Sequence, residues 1–198
     1  MISVCIPTVN GAHRLERCLS HIFKDDSIQR FNAEVLVVDD GSDELNLNRN
    51  RDFCIKYGAR LIEHGARRGV PTAWNTLTAH SQYEFILLLN DDIEVMKHWL
   101  DVIVYILSNN PSIGAVGLNS FEGLRRDIPP VPSYNESNIQ FGSHASPLLS
   151  CCGSAFAFKK SDHSSVGGFD ERYFCFYEAH VAKRQLHARV GRLYQYTG

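Results

Sequence analysis

Phe85-Ile86-Leu87-Leu88-Leu89-Asn90-Asp91-Asp92 is an apolar run that stops on two carboxylates. Five apolar residues in succession are strand length and leave no polar face, the pattern of a parallel strand buried on both sides. Acids at the C-terminal end of such a strand sit on the rim of the sheet, where open α/β folds take their ligands. Adjacent carboxylates repel each other unless a cation or hydrogen-bond donors hold them. A hard divalent metal carrying a substrate phosphate meets that need. A polar turn that closes the strand and caps the next helix meets it too, and the segment alone leaves both readings open.

The same pattern recurs upstream. Ser3 to Pro7 reads as a first strand and runs out in Pro7-Thr8-Val9-Asn10-Gly11; Glu34 to Val38 reads as a second and ends on Asp39-Asp40-Gly41-Ser42. Between them, Leu15, Cys18, Leu19 and Ile22 fall at three- and four-residue spacing, which predicts a helix from Ala12 to about Phe23. A helix over Asn46 to Tyr57 and a strand over Arg60 to Glu63 follow. Gly65 to Gly69 is a basic glycine-bearing loop, and Pro71 opens a helix that reaches His80. Beyond the Phe85 strand come a helix from Trp99 to Leu107 and a strand from Ile113 to Leu118. Strands and helices that alternate at this spacing predict one α/β domain with a mostly parallel, Rossmann-like central sheet flanked by helices. From Glu122 to Pro147 the pattern gives way to a long irregular loop with Pro129, Pro130 and Pro132. Strand character returns at Ser154 to Phe158. A turn at Gly167-Gly168-Phe169-Asp170 then leads to an aromatic stretch and a helix from Glu178 to Val190.

The 198 residues suffice for one such domain. A net charge of −2 offers no general attraction to nucleic acid or to an anionic membrane. No apolar stretch reaches transmembrane length, and the first residues enter a strand without the basic and apolar regions of a signal peptide. The six cysteines form no CxxC pair, which argues against structural zinc; Cys5 and Cys151 read as small core residues, and a reducing cytoplasm is the expected setting.

Acids at Asp39/Asp40, Asp91/Asp92 and Glu178 stand on separate elements. The first two pairs follow buried strands and converge on one rim when those strands are parallel neighbours. Carboxylates there can accept hydrogen bonds from a base or ribose. Asp92, helped by Asp91, suits Mg²⁺ or Mn²⁺ bridging a diphosphate. Arg67 and Arg68 suit phosphate oxygens, and Glu178 suits a general base acting on a hydroxyl.

These stretches together resemble the family 2 glycosyltransferases of the GT-A fold. The resemblance rests on Val4-Cys5-Ile6-Pro7-Thr8-Val9-Asn10, Val37-Val38-Asp39-Asp40-Gly41-Ser42, Arg68-Gly69 with Asn75, Leu87 to Asp92, Gly114-Ala115-Val116-Gly117, and Gly167 to Phe174. It implies transfer of a sugar from a UDP-, GDP- or dTDP-sugar to a hydroxyl on a glycan, glycolipid or protein, with Mn²⁺ or Mg²⁺ and with inversion, as in polysaccharide biosynthesis. By this likeness Pro7, Thr8, Asn10, Asp39, Asp40, Arg68, Asn75 and Asp91 belong to the nucleotide site and Asp92 and Asp91 to the metal. Gly153 and His180 fall on the acceptor side, and Glu178 with Asp92 carries catalysis. The likeness divides the chain into a nucleotide-binding half, 1–118, and an acceptor-side half, 119–198, with the loop at 122–147.

Three departures bear on activity. The second acid of the family's Glu-Asp pair is Ala179, Val9 stands where an aromatic often precedes the asparagine, and the sequence stops at Tyr196-Thr197-Gly198, where family members commonly continue with a histidine and further helices. Ala179 and that early end keep a rival reading open: a catalytically silent module of this fold that binds a ligand or serves a larger assembly, cytoplasmic or peripheral at a membrane. A nucleotidyltransferase is a third reading. Tyr173, Phe174, Phe176 and Tyr177 are expected in the core rather than as a sugar-stacking platform.

Overall fold

The computed structural model describes residues 1–111, 113–118, 139–141, 155–174 and 192–196. Chain order runs β1 (Ile2–Thr8), α1 (Ala12–Lys24), α2 (Ser27–Arg30), β2 (Glu34–Asp39), α3 (Glu44–Tyr57), β3 (Arg60–Glu63) and α4 (Val70–His80). It continues with β4 (Phe85–Leu89), α5 (Trp99–Asn109), β5 (Ile113–Leu118), β6 (Ile139–Phe141), β7 (Ala155–Lys159), α6 (Lys160–Ser165) and β8 (Arg192–Tyr196). The expected elements up to residue 118 are all present within two residues of their predicted ends, and α2, β6, α6 and β8 are additional. β6 lies inside the stretch read as an irregular loop. The predicted helix from Glu178 to Val190 lies outside the described residues.

Among the described residues the strands form one sheet in the order β3-β2-β1-β4-β7-β5-β8-β6. β1 pairs parallel with both β2 and β4, β2 with β3, and β5 with β8. β7 is antiparallel to β4 and to β5, and β6 is antiparallel to β8. Six strands therefore share one direction. The reversal at β7 left no mark in the sequence, because a strand buried on both faces has the same composition whichever way it runs.

The chain steps outward from β1 to β2 and β3, then returns across β1 to lay down β4. The C-terminal ends of β1 and β4 therefore flank a topological switch point, where such sheets open a crevice. Alternation along the strands sorts the core onto two faces. Val4, Ile6, Val35, Val37, Leu87 and Leu89 pack against Leu15, Leu19 and Ile22 of α1 and Leu100, Ile103 and Ile106 of α5. Cys5, Leu36, Val38, Ile86 and Leu88 pack on the other face against Ala73, Trp74 and Leu77 of α4, with Phe156, Phe158 and Phe169. Trp74 lies edge-on to Phe156 with centroids 5.4 Å apart, a favourable aromatic geometry.

Helix ends follow local chemistry. Asp43 caps α3 by accepting the Asn46 N–H at 2.8 Å, and Gly58 ends it in the left-handed conformation at φ 76°. Cys5, Cys18 and Cys54 are buried free thiols, and burial pushes Cys5 and Cys54 up to about 12.

His163 of α6 is buried between Phe158, stacked at 5.3 Å, and Phe169 at 4.8 Å, and its Nε2 has no hydrogen-bond partner among the described residues. Burial, with some help from Lys160, lowers its pKa from 6.5 to about 4. Below pH 6.5 the unfolded chain takes up this proton while the folded chain refuses it, so stability is lost as pH falls from about 6.5 to about 4. The loss across that window should reach roughly 3 kcal/mol. Thermal melts between pH 4 and 7 should show a smaller acid-side drop for His163→Phe than for wild type; equal slopes would contradict this account.

Candidate active site

Parallel register brings the first acids into line. Thr8 pairs with Asp39 across β1 and β2, and Cys5 pairs with Leu88 across β1 and β4. Carried three residues on, the second pairing sets Thr8 level with Asp91, and the Thr8 hydroxyl donates to Asp91 Oδ2 at 2.7 Å. Arg14, in the first turn of α1, places Nε 3.1 Å from Asp91 Oδ1 and Nη2 3.2 Å from Oδ2. The pair holds the Arg14 guanidinium above its ordinary range, the hydrogen bond to Asp91 being the main cause. Gly11 leaves the room: a Cβ there would overlap both Asp91 and the Arg14 guanidinium.

Asp40 anchors the opposite wall. It is buried, and its carboxylate accepts the backbone N–H of Arg68 at 3.0 Å and of Gly69 at 2.8 Å. His64 Nδ1 lies 2.8 Å from the same carboxylate, and its Nε2 lies 3.0 Å from the Thr76 hydroxyl. One side chain thus fixes the loop from β3 to α4. Gly41, at φ 79°, lets the backbone of Ala66 and Arg67 pass close above it.

Between these walls lies a cavity of about 180 Å³, lined by Pro7, Thr8, Val9, Arg14, Asp40, Arg67, Gly69, Val70, Ala73, Asn90, Asp91 and Phe174. Its cationic side chains are Arg14 and Arg67, and the Arg67 guanidinium lies 5.1 Å from the centre of the Phe174 ring. Asp92 is exposed just beyond Asp91 and makes no hydrogen bond or ion pair among the described residues.

A family model for glycosyl transferase family 2 matches residues 3–167. The chain belongs to that family. A dolichol-phosphate mannosyltransferase of Pyrococcus furiosus is 25% identical to this family 2 chain over 122 residues, 62% of this chain and 34% of the relative. Among solved structures, S. aureus TarS in complex with UDP-GlcNAc aligns with a TM-score of 0.76 at 18% identity, over 98% of this chain and 55% of that one. The mannosyltransferase PcManGT from Pyrobaculum calidifontis, in complex with GDP-Man and Mn²⁺, aligns with a TM-score of 0.70 at 20% identity, over 97% and 53%. These likenesses show the GT-A fold. The chain spans about a third of this curated relative and about half of these solved structures.

Around the cavity the sequence-predicted residues separate into groups. Pro7, Thr8, Asp40 and Asp91 meet at the cavity. Asp39 does not: its carboxylate accepts the Ser42 N–H at 2.8 Å and the Asn50 amide at 2.7 Å, so it holds the turn after β2 and the α3 helix. Asn10 is exposed at φ 49° and exchanges hydrogen bonds with Ser42 and Asp43. Asn75 clamps Phe169 through its N–H and carbonyl, both at 2.9 Å, and donates to Glu171. Arg68 offers Asp40 its backbone, while Arg67 is the side chain that faces the cavity. Tyr173 and Phe174 are not core residues, being 40% and 50% exposed. Gly153, Glu178, Ala179 and His180 lie outside the described residues, as do Phe176 and Tyr177.

Arg14 and His64 belong to none of the motifs legible in the sequence. The available signals were position: Arg14 stands one turn past the rim-forming end of β1, and His64 directly follows β3, beside the strand that ends on Asp39.

Gly69, at φ 96° and ψ 164°, adopts a conformation open essentially to glycine alone, and a Cβ there would lie 2.7 Å from the Phe174 carbonyl oxygen. Gly69→Ala should therefore cost on the order of 1–3 kcal/mol in urea unfolding. An unchanged midpoint would refute the stated packing.

Proposed function

We propose that this chain transfers a sugar from a nucleoside-diphosphate donor to a hydroxyl acceptor, with a divalent metal and with inversion at the anomeric carbon. The observation that carries the reading is the cavity at the switch point, lined by Arg14, Arg67 and Asp91, with the exposed Asp92 next to Asp91 in the chain. The donors held by the two solved relatives support the ligand class.

The cavity divides the work among its residues. Pro7, Thr8 and Val9 give the nucleoside a wall at the end of β1. Asp40 contributes by holding the loop that carries Arg67, since its carboxylate already accepts two backbone N–H groups. Arg14 and Arg67 supply positive charge for a diphosphate. Asp92 would hold Mn²⁺ or Mg²⁺, and its exposed carboxylate fits ions that bind through one or two carboxylates plus substrate phosphates. When bound, that ion supplies Lewis-acid stabilisation of the departing diphosphate. Glu178 is assigned the proton of the attacking hydroxyl, on the likeness alone. The residues to 118 form the donor half in this scheme and those beyond it the acceptor half. Free thiols at Cys5, Cys18 and Cys54 suit a reducing, cytoplasmic setting.

Ala179 favours a second reading, a silent module that binds the nucleotide without turnover. Calorimetry with UDP, GDP and dTDP in the presence of Mn²⁺, followed by product analysis with the matching nucleotide-sugars, separates the cases. Transfer or donor hydrolysis that releases a nucleoside diphosphate, and that falls by about a hundredfold or more in Asp92→Asn, is the expected result. Binding without turnover establishes the silent module, and release of inorganic diphosphate a nucleotidyltransferase. No binding of any of the three nucleotides removes the site altogether.

A further inference from the structure

Asp91 and Asp92 are neighbours in sequence and opposites in environment. The Asp91 side chain is 11% exposed and is gripped from two sides, by the Thr8 hydroxyl and by the fork of Arg14. Asp92 faces solvent and makes no hydrogen bond or ion pair among the described residues, although its charge acts on Arg14. The Arg14 Nη1 makes no hydrogen bond among those residues either, although Arg14 lines the cavity. Within the same set, no three His, Cys, Asp or Glu side chains gather closely enough to hold a metal ion.

We infer that Arg14 is a positioning residue that withholds Asp91 from the metal, so that the ion binds only together with a diphosphate. The inference rests on the donor-site reading given above and concerns how that site is controlled. Both Asp91 oxygens already accept N–H or O–H donors, and a guanidinium beside them repels a second cation. The protein alone therefore offers an incoming Mn²⁺ one carboxylate, Asp92, next to a positive charge. A diphosphate changes both terms. Its oxygens supply the missing ligands, and its negative charge offsets Arg14, whose unused N–H groups it can engage. Gly11 is part of the device, because any side chain there would push Arg14 off Asp91.

The consequence has a sign that a purely structural role for Arg14 would not produce. Removing the guanidinium should strengthen binding of the bare ion while weakening binding of the nucleotide. Mn²⁺ binding without nucleotide, followed by electron paramagnetic resonance, should tighten by about tenfold or more in Arg14→Gln, the scale on which outer-shell partners alter metal affinity. The double variant Arg14→Gln/Asp91→Asn should lose that gain, because Asp91 is then unable to ligate. UDP and GDP, titrated without metal, should bind Arg14→Gln more weakly than wild type.

Bare Mn²⁺ that binds Arg14→Gln no better than wild type overturns the inference, as does a gain that persists in the double variant. A destabilised Arg14→Gln still reports, since Mn²⁺ alone raises its melting temperature only where the folded state binds the ion. The two readings fail separately. Wild type that binds Mn²⁺ no better with UDP or GDP than without removes the donor site and this inference with it. Wild type that does gain, alongside an Arg14→Gln that acquires no affinity for the bare ion, removes the inference alone.

Discussion

The carboxylate of Asp40 is the contact on which the rest of the site depends. A buried charge is tolerated only where donors surround it, and here the donors are two consecutive backbone N–H groups and a buried histidine. Because those backbone groups belong to the β3–α4 loop, satisfying one charge fixes a whole loop. That loop sets the start of α4, faces Arg67 toward the cavity and brings Gly69 against Phe174, more than a hundred positions further along the chain. Phe174 returns the contact by accepting the Val70 N–H at 3.1 Å.

The other wall solves the same problem with different parts. Two adjacent acids at the end of β4 would repel if both faced the cleft. The fold pulls Asp91 inward, onto Thr8 of β1 and Arg14 of α1, and leaves Asp92 outside. One carboxylate becomes a brace between strands and helix while its neighbour stays open to solvent. The division of labour depends on strand order, since Thr8 and Asp91 meet only because β1 and β4 are parallel neighbours.

Much of this is legible in the amino-acid sequence. Phe85 to Leu89 and Glu34 to Val38 announce buried strands by composition, and α1 announces its inner face by spacing; these patterns are local, so they survive without knowledge of the fold. Convergence of Asp40 and Asp91 on one cavity follows from the rule that parallel strands share a C-terminal rim. Other assigned residues stand away from the cavity lining. Asp39, Asn10 and Asn75 have the residue types of ligand contacts, yet their polar groups are taken up by Ser42 and Asn50, by the turn at Asp43, and by Phe169 with Glu171. An Asp or Asn reads the same in sequence whether it faces a ligand or a backbone amide.

Sequence by itself determined the parallel framework, its turns and the pool of acids and arginines at the rim, because strand burial and turn chemistry are written in runs of a few residues. Tertiary structure alone decided which member of each pair faces which way: Asp91 braced inward with Asp92 left to solvent, and Arg67 rather than Arg68 turned to the cavity. That choice is made by partners far away in the chain, Arg14 and Thr8 in one case and Asp40 with Phe174 in the other. A side chain's direction is set by the donors and rings that fill the space around it, and those come together only when the chain has folded.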